Sequence, residues 1–266
     1  MKTLLLALAF AVLPAAARAA AWTLPRHHWE IISGAISSDA TRSFDSGGDA
    51  AMPTRFQRLL VQNDIEWGFS DRLTLLVRTE TAYAHTRNGT SAAVNAVDNA
   101  IEAGARFRLF QGLGILADDD VLSLETTART AGAFNFAYSA NANASGRDAG
   151  FRLLYGSGFR FLNKNGFVNL EAGYRWLSHP RPDQMPIDLT AGLWLDRRWM
   201  VMLQSFNLVG GPATPPYVDF RTHKIEASTV VRLTHGLSLQ AGAFFSPAGQ
   251  NALDERGLCV SIWSDF

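Results

Sequence analysis

A period-two alternation of apolar and polar side chains, repeated along nearly the whole chain, narrows the possible folds more than any other feature. In residues 97–109, Ile101, Ala103, Ala105, Phe107 and Leu109 occupy one face, and Glu102, Gly104, Arg106 and Arg108 the other. Residues 221–234 repeat the pattern, with Ile225, Ala227, Thr229, Val231 and Leu233 opposite Lys224, Glu226, Ser228 and Arg232. A helix would bring together residues three and four apart, whereas successive side chains of a strand point to opposite faces. These segments are therefore strands.

Twelve such segments can be drawn. Residues 56–69 set Leu59, Val61, Ile65, Trp67 and Phe69 against Gln62, Asp64 and Glu66; residues 73–84 set Leu75, Val77 and Tyr83 against Thr74, Arg78 and Glu80. In residues 121–131, Leu122 and Leu124 oppose Glu125 and Arg129, and in 149–162, Phe151, Leu153, Tyr155, Phe159 and Phe161 oppose Arg152 and Arg160. Residues 167–178 place Leu170, Tyr174 and Trp176 opposite Glu171 and Arg175, and 186–196 place Ile187, Leu189 and Leu193 opposite Asp188 and Thr190. Residues 28–37, 199–208 and 237–246 carry weaker patterns. In 199–208 the facing is undecided, because Trp199, Val201 and Leu203 compete with Met200, Met202 and Phe206. The twelfth segment ends on Phe266.

The first 21 residues read differently. Lys2, an apolar stretch from Leu4 to Leu13 and a small-residue exit at Ala17-Arg18-Ala19 or Ala19-Ala20-Ala21 have the form of a cleaved export signal. Residues 22–266 are then expected to form one β-domain. Charge is balanced at 24 basic and 24 acidic residues; the leader holds Lys2 and Arg18, so 22 bases and 24 acids follow it and leave minus two. Nothing in that balance points to nucleic acid. No later stretch reaches the roughly 18–20 apolar residues that a spanning helix needs, so any passage through a bilayer must be made by strands. Cys259 is the only cysteine; no internal disulfide can form, and a small filler in the last strand is the expected role. Lys164 and Lys224 are the only lysines after the leader, against about twenty arginines. Arginine's planar, always-charged fork suits enclosed carboxylate networks better than lysine does.

Alternation alone does not say whether the apolar face covers a core or meets lipid. Three features favour lipid: segments longer than the usual five or six residues, aromatics gathered at segment ends, and charges enriched in mid-strand on the opposite face. Trp67, Phe69, Phe107, Phe161, Trp199 and Phe266 are expected to line a periplasmic rim, and Tyr83, Phe151, Trp176 and Phe245 an outer one. Connections alternate in length: short at 70–72, 163–166, 196–198 and 235–236, slightly longer at 111–120, and long at 38–55, 85–96, 132–148, 179–185, 209–220 and 248–256. Outer-membrane barrels have short periplasmic turns and longer external loops. An open sheet edge in hydrocarbon leaves unpaired N–H and C=O groups, so the last strand should pair with the first. The expected fold is an all-β, closed antiparallel transmembrane barrel, with 12 strands the reading and 10 the lower bound.

The expected site is the lumen. Glu66, Glu80, Glu102, Glu125, Glu171 and Glu226 fall near mid-strand with Arg78, Arg106, Arg108, Arg129, Arg152, Arg160, Arg175 and Arg232. Inward-facing, they can pair across neighbouring strands. They form either a structural network filling a narrow barrel or a selectivity lining for small polar or anionic solutes.

Other candidates carry less. The pair His27-His28 invites a metal reading, although adjacent histidines near a terminus are usually solvated. Ser178-His179 invites comparison with outer-membrane lipases, yet neighbours on a strand point to opposite faces and no third group orients the imidazole. Ser46 to Ala51, Asn135 to Gly146, Gly210-Gly211-Pro212 and Pro215-Pro216 read as loop. No phosphate-cradling loop or zinc spacing occurs; no cofactor, metal or catalysis is expected.

Ala21-Trp22-Thr23-Leu24-Pro25, Trp29-Glu30-Ile31-Ile32 and the run Glu66-Trp67-Gly68-Phe69-Ser70-Asp71-Arg72-Leu73-Thr74-Leu75 resemble proteobacterial outer-membrane barrels of the XagA-like and MetA-pathway phenol-degradation transporter families. The resemblance covers the first third of the chain and the terminal aromatic. It implies a barrel and uptake of small organic compounds, with no catalytic residues to carry over. One departure is Ser264, where such barrels usually place a large apolar residue two before the final Phe. The expected partners are outer-membrane lipid, the barrel-assembly machinery engaging Phe266, and small solutes. The alternatives to a solute pathway are a closed structural or adhesive barrel and, behind it, a lipid hydrolase.

Overall fold

A computed structural model describes residues 21–88, 94–117, 119–131, 146–178, 181–213 and 217–266. Most of the expected leader, together with His179 and Pro215-Pro216, lies outside the described residues.

The alternating segments form twelve strands: β1 (Trp29–Phe44), β2 (Met52–Ser70), β3 (Leu73–Asn88), β4 (Val94–Gln111), β5 (Val121–Ala131), β6 (Gly146–Phe161), β7 (Lys164–Trp176), β8 (Gln184–Trp194), β9 (Trp199–Gly210), β10 (Phe220–Thr234), β11 (Leu237–Gln250) and β12 (Ala252–Asp265). Each pairs antiparallel with its sequence neighbours, and β12 pairs with β1 to close the barrel. The seam runs from Glu30 opposite Asp265 to Phe44 opposite Ala252. At its lower end Trp29 N–H donates to the Phe266 carbonyl at 2.8 Å, and Phe266 N–H donates back at 3.1 Å. No edge is left to face hydrocarbon, where unpaired backbone groups cost several kcal/mol each at the ~2–7 kcal/mol scale of amide desolvation.

The apolar parity faces outward. Leu59, Val97, Ile101, Leu170, Leu203, Leu258 and Ile262 are exposed to the surroundings, whereas Arg106, Glu125 and Glu255 are almost fully enclosed. Period-two sequence thus becomes an inside-out partition, greasy outside and ionised within. The expected aromatics mark both ends of the outer surface: Phe69, Phe107, Phe161, Trp199 and Phe266 at the short-turn end, and Tyr83, Trp176 and Phe245 at the other, are all exposed. Trp67 is half-buried, stacked on Trp29 at 5.6 Å.

Short turns follow local chemistry. Leu162 and Asn163 both take positive φ, 48° and 60°, between β6 and β7, the conformation that matches a two-residue hairpin to strand twist. Asp196 closes the β8–β9 turn by accepting from the N–H groups of Arg198 and Trp199 at 2.7 and 2.8 Å. In the longer β4–β5 turn the Asp120 carboxylate accepts from the N–H groups of Ile115, Leu116 and Ala117 at 2.8–3.0 Å and from the Tyr155 hydroxyl at 2.7 Å. Burial pushes the Asp120 carboxyl upward, but these bonds and one from Ser157 outweigh it and hold the group below the usual carboxylate range.

Two expected long loops are corrected. The stretch 38–55 shrinks to 45–51, because β1 continues through Phe44 and β2 begins at Met52; 248–256 collapses to Asn251, between β11 and β12. Sixteen residues at ~3.3 Å each, tilted by ~40°, climb about 40 Å, well beyond the ~25 Å apolar band of an outer-membrane barrel. Above that band a strand needs no apolar face, so polar sequence there marks emergence from lipid rather than the end of the ladder. The Arg256–Asp39 pair at 3.2 Å lies on this overhang, with Arg256 exposed and Asp39 half-buried.

Candidate functional site

The inward parity builds an ion-paired wall across β2–β8. Arg78 is its hub: Nε bonds Asp64 at 2.9 Å, and Nη1 reaches Glu102 at 2.9 Å and Glu125 at 2.8 Å. Below it, Arg106 Nη2 reaches Glu66 at 2.6 Å and Glu125 at 2.9 Å. Arg129 bonds Glu80 at 2.5 Å, Arg152 bonds Glu171 at 2.9 Å and Asp188 at 3.3 Å, and Arg175 reaches from β7 to Glu102 on β4 at 3.2 Å. Several pairs skip strands: β7 to β4, β5 to β3, β4 to β2. A guanidinium is long enough to lean over its neighbour, and its fork serves two carboxylates at once.

Not every expected lumen residue joins this wall. Arg108, Arg160 and Arg232 hold inward register positions near the short-turn end. Arg160 is exposed and bonds only as far as Asn165 at 3.3 Å, and Arg232 lies 4.6 Å over the Trp194 ring while donating to the Arg197 carbonyl. Arg160 and Arg232 are corrected from lumen lining to rim, and Arg108 does not line the cavity. Glu226 faces inward but bonds no arginine; its Oε1 accepts from Gln240 at 3.4 Å and from the Cys259 thiol at 3.3 Å. Cys259 is therefore a hydrogen-bonding member of the lumen rather than filler alone.

A second cluster had no counterpart in the sequence reading. Glu255 on β12 accepts from Arg58 on β2 at 2.7 Å, from Ser38 on β1 at 2.5 Å and from Lys224 on β10. Glu255 escaped notice because its surroundings read as loop. Arg58 carried a usable signal, since it shares the parity of Gln62, Asp64 and Glu66.

The remaining wall, β9–β12 and β1, is richer in apolar side chains, set around Glu30, Lys224 and Glu226. Ile32, Ile36, Met202, Phe206, Phe244 and Trp263 face the same cavity of about 580 Å³ that the charged wall bounds. The undecided parity of β9 resolves here: Met200 and Met202 are buried inside, and Trp199, Val201 and Leu203 are exposed outside.

Residues 21–25 enter the bore from the short-turn end and occupy its lower part. Ala21 is fully enclosed, and Thr23 and Leu24 are nearly so. The strap is held by side chains of the barrel: Asn169 Oδ1 accepts from Ala21 N–H at 3.1 Å, Ser123 Oγ donates to the Ala21 carbonyl at 2.6 Å, Thr74 Oγ1 accepts from Leu24 N–H at 2.8 Å, and Arg106 Nη1 donates to the Trp22 carbonyl at 3.2 Å. Trp22 meets Phe167 edge-on at 6.5 Å. A Cβ at Gly156 would stand 2.5 Å from the Trp22 ring, so glycine there makes room for the strap. The chain turns out of the bore at His27, with φ 67°, where His27 N–H donates to the Gly68 carbonyl at 2.7 Å. His27 and His28 are both exposed. Ser178, of the expected serine–histidine pair, donates to the Arg147 carbonyl and lies 3.4 Å from Asp148, which Arg181 also engages.

This arrangement defines a transmembrane β-barrel of the outer-membrane type with a bounded, partly filled bore. No family model matches the chain, and no curated protein matches it. Among solved structures, it is similar to the COG4313 outer membrane channel from Pseudomonas putida F1, with a TM-score of 0.68, 14% identity, and 93% of this chain and 98% of that one covered. It is also similar to the translocator domain of the autotransporter NalP from Neisseria meningitidis, at TM-score 0.54, 10% identity and 90% and 88% coverage. The transport unit of the autotransporter AIDA-I from Escherichia coli aligns at TM-score 0.51, 10% identity and 97% and 94% coverage. At these identities the likeness concerns the fold.

Proposed function

We propose that the chain provides a passive or facilitated pathway for small polar or organic solutes across the bacterial outer membrane, after export by a cleaved signal. The observation that carries this reading is the cavity of about 580 Å³ inside a closed barrel, bounded on one side by ion pairs and on the other by apolar and aromatic side chains interspersed with a few charged ones. Such a lining gives a small organic molecule a surface for each of its ends. Fold similarity to an outer membrane channel supports it, as does the resemblance of the N-terminal third to phenol-degradation transporters. Lipid around the apolar belt and the assembly machinery at Phe266 are the partners this reading requires; catalysis is no part of it.

A second reading, a closed structural barrel, is favoured by the strap, since Ala21 to Leu24 fill the bore's lower part. Single-channel recording in a planar bilayer separates the two. The pathway reading expects discrete conductance that changes in Arg152→Ala, because the Arg152 side chain retains 24% of its exposure within the bore. A well-folded protein, judged by heat-shifted gel migration, that never conducts would refute it.

A further inference from the structure

The charges facing the bore do not cancel. Eight acidic side chains line the cavity against six basic ones, and the enclosed residues just behind them add Arg106 against Glu125 and Glu255. With all ionised, the described lumen is negative by two at its surface and by three in depth. The positive ends are also already engaged: Arg78 serves three carboxylates, and Arg152 serves two. A mobile anion must compete with fixed acids for these guanidiniums, whereas a mobile cation meets carboxylates with acceptor capacity to spare. The excess is sharpest at Glu226, whose partners Gln240 and Cys259 are both neutral.

The apolar wall gives this excess a chemical direction. Phe244 stands directly opposite Glu226 in the β10–β11 ladder, and Phe206 and Trp263 face the same cavity. A carboxylate beside aromatic faces is the grouping that attracts an ammonium, by charge and by the ring quadrupole together. The molecule contains its own instance: the Lys224 ammonium lies 5.2 Å over the Phe244 ring while paired with Glu255. We infer that the bore selects cations over anions, and that small organic ammonium compounds are the solute class it passes most readily. The inference rests on the pathway reading and replaces the anionic solutes considered from sequence.

Reversal potentials across a potassium chloride gradient in a planar bilayer test it on the unmodified protein. The expected sign is that of a cation-preferring channel, with preference over chloride several-fold, and with tetramethylammonium chloride sustaining more current than the sodium salt of a small carboxylate. In Glu226→Gln, which keeps the side chain's size and an acceptor oxygen for Gln240, the cation preference should fall while conductance persists. A reversal potential at zero or of the opposite sign overturns the selectivity, and an unchanged preference in Glu226→Gln overturns the role of that carboxylate. Absence of conductance strikes the pathway reading itself, and the inference falls with it.

Discussion

The two walls of the bore solve the same problem, filling the inside of a cylinder, by opposite means. Across β2–β8 the filling is electrostatic: Arg106 is 1% exposed and Glu125 equally so, and each is tolerable only because the other is there. Across β9–β12 and β1 most of the filling is Met202, Phe244, Trp263 and isoleucines, which need no partner, with Glu226 and the Lys224–Glu255 pair set among them. The difference teaches where the barrel is brittle. A buried ion pair contributes little net stability against apolar residues of the same volume, yet losing one member strands the other. The charged wall is therefore the more sensitive of the two to single substitutions.

The largest expected effect follows directly. Arg106→Ala leaves Glu66 without its guanidinium partner, leaves Glu125 to Arg78 alone and frees the Trp22 carbonyl; it should lower stability to urea unfolding from detergent by about 3–5 kcal/mol. Met202→Ala, a truncation on the other wall, should cost about 2–3 kcal/mol. If the two losses are equal, the distinction between the walls is broken.

A smaller effect tests the residue that touches both. Trp22 packs with the apolar cluster of Phe167, Trp194, Met200, Met202 and Val230, and its carbonyl accepts from Arg106. Trp22→Ala should cost about 2 kcal/mol, about half the core value because the ring is half-buried, and should raise single-channel conductance severalfold by emptying the lower bore. Unchanged conductance would place the narrowest point elsewhere.

The smallest effect lies off both walls. Asp120 orders the β4–β5 turn as a carboxylate, and the hydrogen bonds it accepts there hold it below its ordinary value. A lowered value means that its contribution is present in full above pH ~4 and is lost only as acid drives the pH down through the folded value. Asp120→Asn should reproduce that loss at neutral pH, weakening amide-exchange protection at Ile115 to Ala117 by about 1 kcal/mol. Equal protection in both proteins would remove the carboxylate from the account of the turn.

Most of the architecture was legible because one parity held the charges. Glu102, Arg106, Glu125 and Arg152 announce an interior in a chain whose other parity is Ile, Leu and Phe. Legibility failed where that contrast failed. On β9 both parities are apolar, since Met200 and Met202 belong to the apolar wall, and alternation carries no sign there. Glu255 was hidden by Gly249, Gln250 and Asn251, which read as loop although the ladder continues through two of them. Glu226 lines the cavity beside neutral partners rather than among arginines, because register alone does not show which long side chains lean toward it. The strap was invisible: nothing in Ala21-Trp22-Thr23-Leu24-Pro25 has a period, and its position is set by Thr74, Ser123 and Asn169, each far away in sequence.

The partners of that strap have a bearing on assembly. Its hydrogen-bond partners Asp71, Thr74, Arg106, Ser123 and Asn169 all lie between the β2–β3 turn and β7, so none of them belongs to β1, to β12 or to the strands that precede the closing one. A half-finished, curved sheet already carries every side chain that hydrogen-bonds the segment, and only the packing of the Trp22 ring awaits β8 to β10. The peptide can act as a mandrel around which the first strands bend, and the final pairing then shuts over an occupied interior, sparing the protein the task of threading its own beginning into a finished tube.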